Sequence, residues 1–158
     1  MEKKNILIDI KNILLDYEIK FIFILIALLL LLVVIEVILR FLKLPLYWSE
    51  EASRYIFFWM VMLAVAIGIE KKTHFHVDII DRFINKKYRK LLYILSNIVI
   101  MLFVIVLFYE GIKFCIYSKG AVSPSFAMPM YYVYLIIPVA ALLMLFHLFI
   151  QIYESLLF

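Results

Sequence analysis

Residues 21–35 read FIFILIALLLLLVVI, an apolar run with no charged or hydrogen-bonding side chain. It extends to residues 19–39, long enough as a helix to cross a hydrocarbon core of about 30 Å, which takes about 20 residues. The rest of the chain has the same character. Its hydrophobic fraction is 68%, against about 45–50% in an ordinary soluble domain, and its mean hydropathy is +1.09. A chain this apolar cannot cover its own core with polar surface, so lipid is its solvent. Secretory leaders carry apolar stretches of roughly 7–15 residues and a small-residue cleavage site; residues 19–39 meet neither condition and are expected to stay in the mature protein.

Three further segments repeat the pattern, at about 53–70, 91–114 and 130–153. None shows the period-two alternation of barrel strands, and within lipid only a helix satisfies its backbone inside one segment. The expected fold is an all-α integral membrane protein with four transmembrane helices. Ahead of the first span, Ile6, Ile10, Ile13, Leu14 and Tyr17 recur at helical spacing, with Lys4, Asp9, Lys11, Asn12 and Asp16 on other faces. Residues 1–18 are therefore expected as an amphipathic interfacial helix before a four-helix membrane domain over 19–158. Periodicity fits a plain extension of the first span equally well.

Basic residues set the expected orientation. Lys71, Lys72, Arg82, Lys86, Lys87, Arg89 and Lys90 crowd the second connection, and Lys3, Lys4, Lys11 and Lys20 the N-terminal segment. The other connections are poorer, with Arg40, Lys43 and Arg54 in one and Lys113 and Lys119 in the other. The positive-inside rule puts the second connection and both termini in the cytoplasm. It also gives the seven basic residues of that connection anionic headgroups to grip, at roughly 1 kcal/mol per well-placed residue. Membrane lipid is thus an expected partner. Nucleic acid is not, because no basic stripe carries interleaved aromatics; the 14 Phe, 11 Tyr and 2 Trp lie mostly in or beside apolar runs.

On this topology WSEEASR, residues 48–54, lies on the outer side at the start of the second helix. Pro45 stops the first helix, Ser49 is the expected N-cap, and Glu50 and Glu51 complement the helix dipole. Arg54 lies four residues after Glu50, within pairing reach. Adjacent helical side chains diverge by about 100°, so the two carboxylates are not expected to converge as an acid/base pair. Glu36 with Arg40 and Glu110 with Lys113 are read as pairs snorkelling near the outer boundary, although a carboxylate in a span is also a candidate ion site. Pro138 is read as a kink.

His74, His76 and Asp78 form H-x-H-x-D and His147 lies in the fourth span. A metal or a haem was weighed for them, and hydrogen-bonded or solvated histidines are the expected state, with no metal and no cofactor. The single cysteine, Cys115, excludes an internal disulfide and CxxC motifs. No nucleophile constellation or phosphate loop points to an enzyme.

Several of these residues line up with one family. Arg40, WSEEASRY at 48–55, Gly68, KKTHFHVD at 71–78 and SPSFAMPMYYVYLIIP at 123–138 resemble the small, DctQ-type membrane subunit of TRAP transporters, the tripartite ATP-independent periplasmic uptake systems. In the family pattern an arginine closes the first helix, Trp-x-Glu-Glu and an arginine follow, and His-x-x-Val-Asp falls on His74, Val77 and Asp78. Its prolines fall on Pro124, Pro129 and Pro138. His76 and Phe75 depart from the pattern locally. The resemblance implies a bacterial inner-membrane protein and a partial function. A periplasmic binding protein delivers an organic acid, with sialic acid or a C4-dicarboxylate as leading candidates. A large membrane subunit moves it inward on a sodium gradient, and the small subunit braces the large one. Arg40, Trp48, Glu50, Glu51, Arg54, His74 and Asp78 would then be docking or structural positions. The competing reading is a self-sufficient four-helix transporter or exporter, for which Glu36 lies too near the outer end.

Overall fold

The computed structural model describes residues 2–44, 46–71 and 86–157, with side chains described over 9–44, 46–71, 92–153 and at 155. Helix α1 spans Glu2–Phe41, α2 spans Ser49–Glu70 and α3 spans Lys86–Tyr117. A short helix α4, Tyr131–Tyr134, leads into α5, Ile136–Leu157. Four stretches are long and apolar enough to cross a membrane: Asp9–Phe41, Ser49–Glu70, Leu92–Gly120 and Tyr131–Tyr153. The chain is an all-α, multi-pass membrane protein with four transmembrane helices.

No break marks residue 18, so the N-terminal turns and the first span form one rod. Ile10, Ile13 and Tyr17 point outward while Lys11 and Glu18 are buried. Much of the apolar stripe of these turns faces the surroundings, while Lys11 and Glu18 turn toward the other helices and Asp9, Asn12 and Asp16 stay exposed. The rod ends with Lys43 in the left-handed region, at φ 59, where Lys43 N–H donates to the Arg40 carbonyl at 3.1 Å and Leu44 N–H to the Leu39 carbonyl at 2.9 Å. This paired closure satisfies two end carbonyls and stops α1 before Pro45, which lies outside the described residues.

The main helix contacts run from α1 to α2, from α2 to α5 and from α5 to α3. The four spans therefore form a row, with α5 inside it. Half of the most apolar stretch of the fourth span is buried within the chain, against 6% of that in the first. Small residues explain the close packing around α5. Ala66, Ala140 and Ala141 are fully buried where α2 meets α5, joined by Ile69, Val104, Met144 and Leu148; a methyl side chain lets backbones approach within lipid. Leu25, Leu63 and Ile136 bury a second, smaller cluster tying α1 to α2 and α5. Where α3 meets α5, a Cβ on Gly111 would lie 2.7 Å from Ile137 Cγ2, so the contact needs glycine.

The fourth span is interrupted at Leu135. Pro138 has no N–H for the Tyr134 carbonyl and its ring crowds that carbonyl, so the helix restarts with the proline in its first turn. Leu135 keeps helical angles, φ −55 and ψ −25, and its carbonyl accepts the Val139 N–H at 3.3 Å, so the interruption is local and lies close to the end of the span. The neighbouring Val133 carbonyl accepts the Trp59 indole N–H at 2.9 Å, which ties this joint to α2.

Candidate functional site

Polar side chains gather at the two ends of the row. At the end carrying Trp48, Ser49 is the first helical residue and not the cap: its buried hydroxyl donates back to the Leu46 carbonyl at 2.7 Å, and Trp48 occupies the cap position without a side-chain bond. The serine faces inward, so its hydroxyl donates to that carbonyl and does not accept from a helix N–H.

Glu50 and Glu51 part as helical geometry requires. Glu50 is exposed and approaches Arg40 at 3.6 Å, while Arg40 also holds Glu36 at 2.6 Å. Among the described residues no ion pair joins Glu50 to Arg54, the partner expected from spacing; Arg54 is exposed. Arg40 wins because α1 ends beside the start of α2 and its guanidinium already rests on Glu36. Glu36, Arg40, Leu46, Tyr47 and Glu50 line an open cavity of about 330 Å³. The Glu110–Lys113 pair forms as expected, at 2.9 Å, with the ammonium 4.2 Å from the Tyr109 ring centre.

Glu51 is buried, 4% exposed. Its carboxylate accepts the Ser125 backbone N–H at 2.8 Å, the Tyr55 hydroxyl and the Ser123 hydroxyl. The loop it holds is a tight reversal. Ser123 N–H donates to the Met128 carbonyl at 2.9 Å, Met130 N–H to the Ala121 carbonyl at 2.9 Å, and Phe126 N–H to the Ser123 hydroxyl at 3.1 Å. Ala127 sits at φ 50 to make the turn. Phe126 packs edge-on to Trp48 at 5.9 Å. The charge cluster read as a helix cap is therefore also a tertiary clasp: one carboxylate binds a loop 74 residues away, and the other stays exposed beside Arg40.

The opposite end holds a network that spacing did not reveal. His147, fully buried, places Nε2 at 3.1 and 3.2 Å from the two Glu18 oxygens and Nδ1 at 3.4 Å from Glu70 Oε2. Lys11 pairs with Glu70 at 3.1 Å. One turn on, Gln151 donates to the Ile69 and Glu70 carbonyls at 2.7 and 3.2 Å and accepts from the Tyr93 hydroxyl at 3.1 Å. Four helices converge here. His147 is the hydrogen-bonded histidine expected of it; Glu18, Glu70, Tyr93 and Gln151 were missed. The available signal was Lys11 and Glu18 seven residues apart, on one face of a helix.

Of the remaining predicted positions, Lys71 is exposed just past α2. Lys86, Lys87, Arg89 and Lys90 start α3, with side chains outside the described residues. Lys72, His74, His76, Asp78 and Arg82 lie outside them altogether. Cys115 is buried and unbridged. Among the described residues no group of three or more His, Cys, Asp or Glu side chains is arranged to hold a metal ion.

Residues 29–158 match the family described as tripartite ATP-independent periplasmic transporters, DctQ component. The chain is 26% identical over 113 residues to the sialic acid TRAP transporter permease protein SiaT of Haemophilus influenzae (strain 86-028NP), covering 68% of this chain and 17% of that protein. It is 27% identical over 96 residues to the isethionate TRAP transporter permease protein DctMQ of Oleidesulfovibrio alaskensis, covering 59% and 15% respectively. It is 28% identical over 103 residues to the C4-dicarboxylate TRAP transporter small permease protein DctQ of Rhodobacter capsulatus, covering 64% and 45%. This chain thus spans under half the length of each of these three relatives.

Proposed function

The chain belongs to the DctQ component family of the tripartite ATP-independent periplasmic transporters, and from that premise we propose that it is a small permease subunit that braces a large membrane subunit during sodium-driven uptake of an organic acid. The observation that carries the reading is the row of helices. A row has two broad sides, whereas a closed bundle turns its apolar stripes inward. Phe23, Ile24, Leu30 and Leu31 on α1 and Phe103 and Val106 on α3 all stand exposed, ready for lipid or a larger apolar partner. The polar clasps at both ends hold the spans rigid relative to one another, which suits a brace. The local interruption at Leu135 lies near an end of its span, whereas ion-coordinating helices open near the midplane, and Glu36 and Glu110 are each matched by a cation on their own helix. The short match to much longer permease proteins supports a large partner; the names of the relatives, covering sialic acid, isethionate and C4-dicarboxylate, support an organic anion as cargo.

The basic connection puts the His147 end at the cytoplasmic face of a bacterial inner membrane and the Trp48 end outside, with both termini cytoplasmic. Glu50, Arg40 and Arg54 then form the exposed charged patch that meets the periplasmic binding protein, Trp48 flanks it, and Glu51 holds the adjoining loop in place. His74 and Asp78 are proposed as structural positions of the cytoplasmic connection, whose lysines and arginines hold anionic headgroups. An impermeant maleimide should label a cysteine at Tyr47, which is 84% exposed, from outside intact spheroplasts; labelling only after lysis reverses the orientation.

Reconstitution tests the role itself. Liposomes holding this chain, a large subunit from a neighbouring gene and the secreted binding protein should accumulate organic acid when sodium is high outside. Liposomes holding this chain alone should accumulate none. Solute movement by the chain alone would replace the brace with the self-sufficient transporter.

A further inference from the structure

We propose that His147 is held as an imidazolium that donates from both ring nitrogens, tying α5 at once to Glu18 in the N-terminal part of α1 and to Glu70 of α2. Each ring nitrogen faces a carboxylate. Nε2 faces the Glu18 carboxylate at 3.1 Å, and Nδ1 faces Glu70 Oε2 at 3.4 Å. A neutral imidazole carries one N–H and one lone pair, so one of its nitrogens would turn a lone pair onto a carboxylate. Both Nδ1 and Glu70 Oε2 are buried with no hydrogen-bond partner among the described residues, and each is the other's neighbour. A proton on Nδ1 makes that contact attractive.

Charge agrees. Among the described residues, Glu18 and Glu70 bring two negative charges and Lys11 one positive; the imidazolium supplies the second. A buried cluster carrying net charge is strongly disfavoured. The groups facing the ring come from every helix around it: Glu18 and Lys11 from α1, Glu70 from α2, and Tyr93 of α3 through Gln151.

The consequence is selective. Gln151 binds α2 backbone carbonyls and Tyr93 through neutral hydrogen bonds, so α2, α5 and α3 keep ties that do not depend on the proton even where the Nδ1–Glu70 contact weakens. Among the described residues the polar ties of α1 at this end are ionic: Lys11 to Glu70 and Glu18 to His147. The clamp is complete at lower pH, where the imidazolium is filled, and is lost as pH rises and the proton leaves. The first turns of α1 would then come away while the other three spans stay joined.

The test uses the full chain in lipid nanodiscs with ¹⁵N-labelled histidine, the His147 signal being assigned by its disappearance in His147→Gln. Both ring nitrogens should carry protons at pH 7. Hydrogen exchange, corrected for its intrinsic pH dependence, should speed up about tenfold for amides 9–18 on alkalinisation and stay unchanged for 145–151. Glu18→Gln removes the carboxylate that faces Nε2, so His147 should give up one ring proton at a lower pH than in the wild-type chain. An unprotonated ring nitrogen in the wild-type chain at pH 7, or exchange at 9–18 indifferent to pH, overturns the proposal. Should His147→Gln fail to fold, assignment through Glu18→Gln leaves the wild-type nitrogen measurement decisive.

Discussion

Replacing Glu51 with alanine is expected to release the loop that joins α3 to α4 and to lower the melting temperature of the detergent-solubilised protein by roughly 5 °C or more. The carboxylate accepts the Ser125 N–H, the Tyr55 hydroxyl and the Ser123 hydroxyl from a buried position. Its removal leaves those donors facing a void, and an unmet donor costs more than a made bond contributes. Glu51→Gln keeps the shape and one acceptor oxygen, so its loss should be intermediate. Glu50→Ala should leave the melting curve nearly unchanged, because that side chain is 70% exposed beside Arg40 and exposed ion pairs contribute little. Protease cleavage within 121–129 should accelerate in Glu51→Ala alone. Equal melting curves for the two alanine variants would show that the clasp carries no weight. The same comparison separates stability from docking: Glu50 variants should lower uptake without lowering the melting temperature.

Gly111→Ala should be the most damaging single-methyl change on α3. The added Cβ would stand 2.7 Å from Ile137 Cγ2 and 3.4 Å from both Ile137 Cβ and Pro138 Cδ. Neither neighbour can turn aside. A β-branched side chain in a helix has one strongly preferred χ1 rotamer, and the proline ring is fixed to its backbone. The overlap is relieved only by moving α3 off α5, and overpacking of this kind costs about 1–3 kcal/mol. Ile137→Ala removes the offending methyl and should recover most of the loss in the double variant. Ile137→Val keeps Cγ2 and should recover almost none. Thermal unfolding of the four proteins measures this coupling; equal rescue by alanine and valine would refute the steric account. Gly120, which has open space around its would-be Cβ, provides the neutral control.

These two sites mark what could be read from the chain and what could not. Gly111 is one of three glycines in the chain, and a glycine in a span says by itself only that close contact is permitted. Whether a helix came close depended on Ile137, in a different span. Glu51 was visible as a first-turn carboxylate, and helix-dipole reasoning accounted for it well enough to conceal its second role. Ser49 and Arg54 show the same limit from the other side. Local rules assigned a cap and an i,i+4 pair, and each is worth at most about 1–2 kcal/mol. Burial of Ser49 and the arrival of Arg40 were enough to override them. Trp59, an aromatic within the second span, donates to the Val133 carbonyl at the start of the fourth, a tie that no local pattern announces.

The sequence by itself determined that this protein crosses a membrane as helices, where each span lies, and which family it resembles. Those follow from energies settled segment by segment, since each stretch must satisfy its own backbone and shed water independently of the others. Only the tertiary structure decided that the helices form a row with α5 within it, that Glu51 clasps a loop and Glu50 does not, and that Glu18 meets His147 across 129 residues of chain. Such contacts rest on which faces meet and how closely. No local pattern encodes them, because a buried charge chooses its partner from whatever the packing brings within reach.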